Sequence, residues 1–319
     1  MNYIQQAFKG HHEFWRYLVG SLIVFVAAMI GQLPLTLAVM MKVIADGGNM
    51  MSINEETMYS VLDSNLFLFL MLLSFVFAFI GLIIAVKYLH KQTMLSVTTA
   101  RPKVDWKRIF FAFFLWGILS SSMVVLDYFM SPENYVYNFE WQRFTVLALI
   151  AIALVPIQTS VEEYMFRGYL MQGFGVLAKN RWFPLLMTSL IFGVLHIANP
   201  EVGKLGYSIM IYYIGTGLFL GVLTLMDDGL ELALGFHAAN NLFTALLVTA
   251  DWTAFQTHSI FKDVSDPKLE FVDMALPVFI IFPILLLIFA KVYKWNNWKG
   301  KLFGTITKPP KEDYKIIEE

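Results

Sequence analysis

LVGSLIVFVAAMIGQLPLTLAVMM, the run from Leu18 to Met41, contains 24 residues and no charged side chain. A helix crosses the ~30 Å hydrocarbon core of a bilayer with about 20 apolar residues, so this run is long enough to span it. The run is longer than the apolar region of a signal peptide, and no convincing small-x-small cleavage site precedes Asp46. We therefore interpret it as a retained membrane span.

The rest of the chain has the same character. Hydrophobic residues make up 58% of the 319 residues and charged residues only 15%, whereas soluble proteins carry roughly 25% charge. Seven further stretches lack Asp, Glu, Lys and Arg: 64–86, 109–126, 144–161, 182–200, 205–226, 232–250 and 274–290. In lipid only helices or a closed barrel satisfy the backbone, and runs of this length select helices. We predict an all-α integral membrane protein with about eight transmembrane helices in a single domain, residues 1–319.

The distribution of basic residues predicts the orientation. If the N-terminus is cytoplasmic, 18 of the 23 Lys and Arg residues lie inside and 5 lie outside, as the positive-inside rule requires. We therefore expect both termini in the cytoplasm, residues 291–319 as a basic cytoplasmic tail, and the lipid bilayer as a partner. The short chain, with little beyond its spans, favours a multi-pass protein of a bacterial inner (plasma) membrane.

Composition also excludes some functions. The 23 basic and 24 acidic residues leave no excess positive charge for nucleic acid phosphates, so we expect no nucleic acid partner. The chain has no cysteine, which excludes disulfides and thiolate metal sites.

The first candidate site is the segment EEYMFRG, which follows the uncharged run 144–161. Glu163 and Arg167 are four residues apart, so they lie on one helix face with the acid first, the favoured order for an ion pair. Glu162 is rotated by about 100° and points elsewhere, which leaves its carboxylate free. The alternative interpretation is an ordinary acid–base cluster at the end of a span.

Two further spans carry histidine. His196 ends the segment FGVLH, and a lone membrane histidine is often only a hydrogen bond between helices. His237 and Asn241, in HAANN, are four residues apart and share a helix face. An imidazole and a carboxamide on one face offer two neutral donors for an oxyanion, although a polar contact between helices would look the same.

Together these segments resemble a known family, the CAAX protease and bacteriocin-processing group, which includes the type II CAAX prenyl endopeptidases. The family pattern is Glu-Glu-x-x-x-Arg, then Phe-x-x-x-His, then His-x-x-x-Asn. It is matched here by Glu162-Glu163…Arg167, Phe192…His196 and His237…Asn241. We therefore take residues 144–250 as the predicted catalytic core.

The resemblance implies a peptide-bond hydrolase in a membrane cavity, with a membrane-associated, possibly prenylated, peptide or protein as substrate. In the family scheme Glu162 and His196 activate a water, His237 and Asn241 form the oxyanion hole, and Glu163 and Arg167 organise the site. The family has also been described as metalloproteases, and Glu162, His196 and His237 would then make a His₂Glu zinc site. We favour the reaction without a metal cofactor and keep zinc as the alternative.

Two other functions remain open on the sequence. One is a non-catalytic membrane protein of the same fold, such as a bacteriocin-immunity or partner-binding protein. The other is a proton-coupled transporter that uses Glu162 and the histidines as a relay.

The depth of the site is a separate expectation. Counted linearly, Glu162 lies near the inner surface, whereas His237 lies ~10 Å and His196 ~20 Å deep. A tilt or a dip of the 158–172 helix must therefore bring the three together.

Overall fold

The structure is a computed structural model that describes residues 1–49, 55–268, 271–310 and 312. The last part of the predicted basic tail, 313–319, lies outside the described residues. The described residues form these α-helices: α1 Phe14–Ala45, α2 Glu55–Val61, α3 Ser64–Ile84, α4 Met94–Thr98, α5 Trp106–Met130, α6 Trp141–Glu163, α7 Met171–Ala178, α8 Trp182–Leu195, α9 Pro200–Leu205, α10 Met210–Asp227, α11 Glu231–Leu247, α12 Phe271–Leu276, α13 Phe282–Val292 and α14 Trp298–Phe303. Three segments are π-helical, Ala85–Leu89, Tyr164–Leu170 and Pro277–Ile281, and short 3-10 turns occupy Ile4–Lys9, Pro132–Asn134, His196–Ala198 and Tyr207–Ile209.

Most residues of each predicted span are helical, so the prediction of an all-α membrane protein is confirmed. Within the described part of the chain, six helices are long and apolar enough to cross a membrane. A shorter apolar helix covers Trp182–Ala198, and α11 has 17 residues. The orientation of the termini stays a prediction.

The fourth span differs from its expected length. The helix does not end where the uncharged run ends. It continues from Trp141 to Ala178 and consists of α6, the π-helical segment Tyr164–Leu170 and α7. Glu162 therefore lies within a 38-residue helix and not at its end, and its depth in the membrane stays a prediction. The reason is that Glu163 and Arg167 pair with each other inside the helix, so neither charge terminates it.

Four helix pairings build the bundle around the site. Helix α1 packs along α3, α10 packs on α8, and α11 packs on both α5 and α6. The approach of α11 to α5 depends on Gly235, where a Cβ would lie 2.0 Å from the carbonyl oxygen of Ile109. An aromatic core then fixes α5, α10, α11 and α13 together, and it includes Trp116, Phe219 and Phe282.

A small three-stranded sheet accompanies the helices among the described residues. Its strands are β1 Tyr135–Tyr137, β2 Val248–Thr249 and β3 Phe261–Asp263. The central strand β3 pairs antiparallel with β1 and parallel with β2. Since β2 follows α11 directly, the sheet ties the end of that helix to the connection between α5 and α6.

The N-terminal segment is packed into the bundle. Tyr3 and Ile4 are buried, and Tyr3 packs against Leu230, which directly precedes α11, and against Leu234 in the first turn of α11. His90 is also buried, with Nδ1 2.6 Å from the carbonyl oxygen of His11. Burial lowers the pKa of His90 from its usual 6.5 to about 4, so this imidazole is neutral at pH 7.

Candidate active site

The predicted site residues meet at one cavity. Its volume is about 520 Å³, and Glu162, His196, His237 and Asn241 all line it. They come from α6, from the turn that follows α8, and from α11. Helix packing thus brings together side chains that lie up to 79 positions apart in the sequence.

The two adjacent glutamates have different environments, as the helix geometry predicts. The Glu163 side chain is fully buried, and its Oε1 accepts a hydrogen bond of 2.9 Å from Nη1 of Arg167. The side chain of Glu162 is 15% exposed and faces the cavity. The predicted pairing of Glu163 with Arg167 is confirmed, and Glu162 is the carboxylate that a substrate can reach.

Arg167 links the glutamate pair to two other helices. Its Nη2 donates to the carbonyl oxygen of Gly217 in α10 at 3.3 Å, and its guanidinium lies 4.2 Å above the ring of Phe192 in α8. At Gly217 a Cβ would lie 3.0 Å from the backbone of Ser189, so the glycine permits the close contact of α10 with α8. The fully buried Arg167 therefore connects three helical segments, namely its own, α8 and α10.

Both nitrogens of His237 face carboxylates. Nδ1 lies 2.8 Å from Oε1 of Glu163, and Nε2 lies 3.6 Å from Oε2 of Glu162. A carboxylate paired with Arg167 only accepts, so Nδ1 carries the proton and Nε2 can donate to an oxyanion only in the imidazolium form. In that form Glu162, Glu163, Arg167 and His237 carry no net charge. The donor role that the sequence predicts for His237 stays a prediction.

His196 is held by its own helix end. Its Nδ1 lies 2.7 Å from the carbonyl oxygen of Phe192, and its ring stacks on Tyr213 with centroids 4.5 Å apart. A carbonyl only accepts, so Nδ1 carries the proton and Nε2 of the neutral ring has a free lone pair. That nitrogen can accept a hydrogen bond from a water.

Asn241 has a partner that sequence reasoning missed. Its Nδ2 donates to Oε1 of Gln158 at 3.0 Å, and Nε2 of Gln158 donates to Oε1 of Glu162. Gln158 is 4% exposed and lines the same cavity. Two features of the sequence point to it, because it is a carboxamide inside an apolar run and it precedes Glu162 by one helical turn.

One oxygen of Glu162 has no donor. Glu162 Oε2 is buried and makes no hydrogen bond, whereas Oε1 is held by Gln158. A buried carboxylate oxygen without a donor is expensive, and such groups call for a functional explanation. Oε2 is therefore the atom best suited to take a proton from a water in the cavity.

The metal alternative finds no ready set of ligands. Across the described residues, no three His, Cys, Asp or Glu side chains are grouped closely enough to hold a metal ion. Glu162, His196 and His237 line one cavity without forming such a group.

Comparisons with known proteins identify one family. A family model described as type II CAAX prenyl endopeptidase Rce1-like matches residues 141–243, which include every predicted site residue. The chain is 31% identical over 304 residues to the uncharacterized protein YyaK of Bacillus subtilis (strain 168). That alignment covers 94% of this chain and 98% of the relative. No solved structure matches the chain.

Proposed function

Because the chain belongs to the Rce1-like family of type II CAAX prenyl endopeptidases, we propose that it is an intramembrane endopeptidase whose general base is Glu162. The observation that carries this proposal is the buried Oε2 of Glu162, which lacks a hydrogen-bond donor and belongs to a side chain that lines the cavity. A bacterial plasma membrane is the location we propose, supported by the similarity to a Bacillus subtilis protein.

The reaction starts with a water held between Glu162 and His196. Oε2 of Glu162 removes a proton while the water oxygen attacks the peptide carbonyl carbon, and Nε2 of His196 accepts a hydrogen bond from the same water. The carbonyl oxygen becomes an oxyanion. One N–H of Asn241 is bound to Gln158, which leaves the second N–H to donate to that oxyanion, together with Nε2–H of His237.

Collapse of the tetrahedral intermediate completes the reaction. The C–N bond breaks, and the proton held by Glu162 passes to the leaving nitrogen, so the products are one carboxylic acid and one amine. Glu162 returns to its carboxylate form. Glu163 and Arg167 take no proton in this scheme and hold His237 in place through the hydrogen bond to Nδ1.

Glu162→Gln tests the proposal. The variant keeps the size of the side chain but has no basic oxygen, so we expect peptide cleavage to disappear while peptide binding survives. The measurement is mass spectrometry of a peptide library incubated with purified protein in phosphatidylcholine nanodiscs. Glu133→Gln, the same change at an exposed loop residue, is the matched control and should cleave as the wild type does.

Other outcomes distinguish the alternatives. Undiminished cleavage by Glu162→Gln would overturn the proposal. Peptide binding without cleavage by the wild type would favour the non-catalytic partner-binding function, and proton-coupled uptake into vesicles would favour a transporter. Zinc is tested by metal analysis of the active protein with and without chelator. One required equivalent of zinc would replace the assignment of Glu162, His196 and His237 to water activation and oxyanion binding.

A further inference from the structure

Four side chains form a hydrogen-bonded chain that ends on Glu162. Nε1 of Trp116 donates to Oδ1 of Asn240 at 3.0 Å, and Nδ2 of Asn240 donates to Oδ1 of Asn241 at 3.1 Å. Asn241 donates to Gln158 at 3.0 Å, and Gln158 donates to Oε1 of Glu162. The chain crosses from α5 through α11 to α6. We propose that Gln158 is a positioning residue for the general base and that Trp116 sets the direction of the whole chain.

The two ends of the chain fix its direction. The indole N–H of Trp116 can only donate, and an ionised Glu162 can only accept. Between them stand three carboxamides, whose oxygen and nitrogen atoms are otherwise hard to distinguish. If one of them were flipped, two donors or two acceptors would face each other. Every donor in the chain therefore points towards the carboxylate, and each amide has one orientation.

This direction has a consequence for the general base. Gln158 occupies Oε1 of Glu162, so only Oε2 is left to take a proton from water. Gln158 and Glu162 lie one turn apart on α6, and Gln158 is 96% buried, so no bulk water competes for the contact. Hydrogen bonds to charged groups in a buried site are stronger than those between neutral groups. Gln158 thus holds the carboxylate at one angle to the cavity.

The same hydrogen-bonded series of side chains also orients the oxyanion donor, Asn241. The Oδ1 of Asn241 is held by Asn240, and one of its N–H groups is held by Gln158. The carboxamide is planar, so these two contacts fix the direction of its remaining N–H. General base and oxyanion donor lie on different helices, and Gln158 is the residue that fixes their relative position. This inference rests on the proposed function.

Gln158→Met tests it, since methionine fills a similar volume without an amide. We expect kcat to fall about 10- to 100-fold, the range for loss of a hydrogen bond to a charged group, while KM changes less than about threefold. Gln142→Met, on the same helix at an exposed position, should leave both constants unchanged. Trp116→Phe should lower kcat several-fold, and the exposed Trp141→Phe should not.

A spectroscopic measurement separates positioning from a merely structural role. The carboxylate band of Glu162 is the infrared band that is present in the spectrum of the wild type and absent from the spectrum of the Glu162→Gln variant. In Gln158→Met that band should shift, because one oxygen has lost its donor, whereas in Gln142→Met it should not. Trp116→Phe offers the same readout if Gln158→Met fails to fold.

The outcomes separate this inference from the proposed function. If cleavage needs Glu162 but Gln158→Met keeps both its kcat and the infrared band, the positioning role is wrong and the endopeptidase assignment stands. If Glu162→Gln cleaves like the wild type, the assignment fails, and the infrared band still tests the contact between Gln158 and Glu162. An equal fall of kcat in Gln142→Met and Gln158→Met would also overturn the positioning role.

Discussion

Two acidic clusters in the described part of this bundle differ in how many of their carboxylate oxygens accept hydrogen bonds. The site cluster contains Glu162 and Glu163, and one oxygen of each carboxylate has no donor. The turn cluster contains Asp227 and Glu231, which flank the turn between α10 and α11. All four of its carboxylate oxygens accept hydrogen bonds, from the donors Arg101, Arg108, Trp295 and the backbone of Asp105.

The difference shows that buried charge alone does not mark a catalytic group. Asp227 and Glu231 are 5% and 0% exposed, and they are as costly to bury as Glu162. In the turn cluster the arginines offset that cost and no acceptor is left over. In the site cluster Glu162 keeps an acceptor without a donor, and its side chain lines a cavity. We infer that a missing donor combined with access to a cavity identifies the reactive carboxylate.

The largest expected effect is the loss of Arg167, the arginine that pairs with Glu163 in the site cluster. Arg167→Ala leaves Glu163 buried without its charge partner, and breaking such a pair costs ~3–5 kcal/mol. We expect lower folded yield and a lower unfolding temperature in detergent, together with loss of activity. Arg143→Ala, which breaks an exposed pair with Glu140, should cost at most ~1 kcal/mol. A stable Arg167→Ala protein that has lost only turnover would contradict the structural role.

Asn241→Ala is the next largest effect, and it acts on catalysis. Deletion of one oxyanion donor lowers kcat by about 10²–10³-fold in known cases. Peptide affinity should change little, since the donor acts mainly in the transition state. Steady-state kinetics of Asn241→Ala, with the exposed Asn296→Ala as control, provide the measurement. A rise in KM with unchanged kcat would instead assign Asn241 to substrate binding.

A variant of the turn cluster tests the other side of the comparison. Asp227→Asn removes the charge between Arg101 and Arg108, and we expect it to destabilise the fold by roughly 3 kcal/mol. We use the low end of the ~3–5 kcal/mol range for breaking a buried ion pair because both arginines are partly exposed. Turnover per folded molecule should be unchanged. Asp266→Asn, from an exposed pair with Lys268, should stay within ~0.5 kcal/mol. If Asp227→Asn lost activity while fully folded, the two clusters would not differ as described.

The smallest expected effect is a pH dependence of folding stability that is caused by His90, a buried residue outside both clusters. The pKa of His90 is about 4 in the folded protein against 6.5 when unperturbed, because the side chain is buried. Well above pH 6.5 neither the folded nor the unfolded state binds the proton, so the contribution of His90 to stability is fully present. As the pH falls from 6.5 towards 4, the unfolded chain binds the proton and the folded protein does not, so stability decreases. Between pH 7 and 5 this loss is roughly 2 kcal/mol. Thermal unfolding of His90→Gln should depend less on pH over that range, and an unchanged dependence would contradict the assignment.

Short sequence patterns predicted part of the site correctly. Spacing alone indicated that Glu163 pairs with Arg167, that Glu162 points elsewhere, and that His237 and Asn241 share a face. These are relations within one helix, and the period of 3.6 residues fixes them. Contacts between helices were not predictable in this way. Gln158 stood unremarked in its apolar run, and Arg101 and Arg108 were counted only as loop charge, although both pair with Asp227.

The sequence by itself determined that this chain is a helical membrane protein, because uncharged runs of this length can satisfy their backbone in lipid only as helices. It also determined which residue types are available for chemistry. Only the tertiary structure decided that the helix carrying Glu162 continues to Ala178, and that His237 faces both glutamates. It also decided that one oxygen of Glu162 is left without a donor. The physical reason is that hydrogen-bond satisfaction depends on which neighbouring helix supplies a partner, and packing between distant segments selects that neighbour.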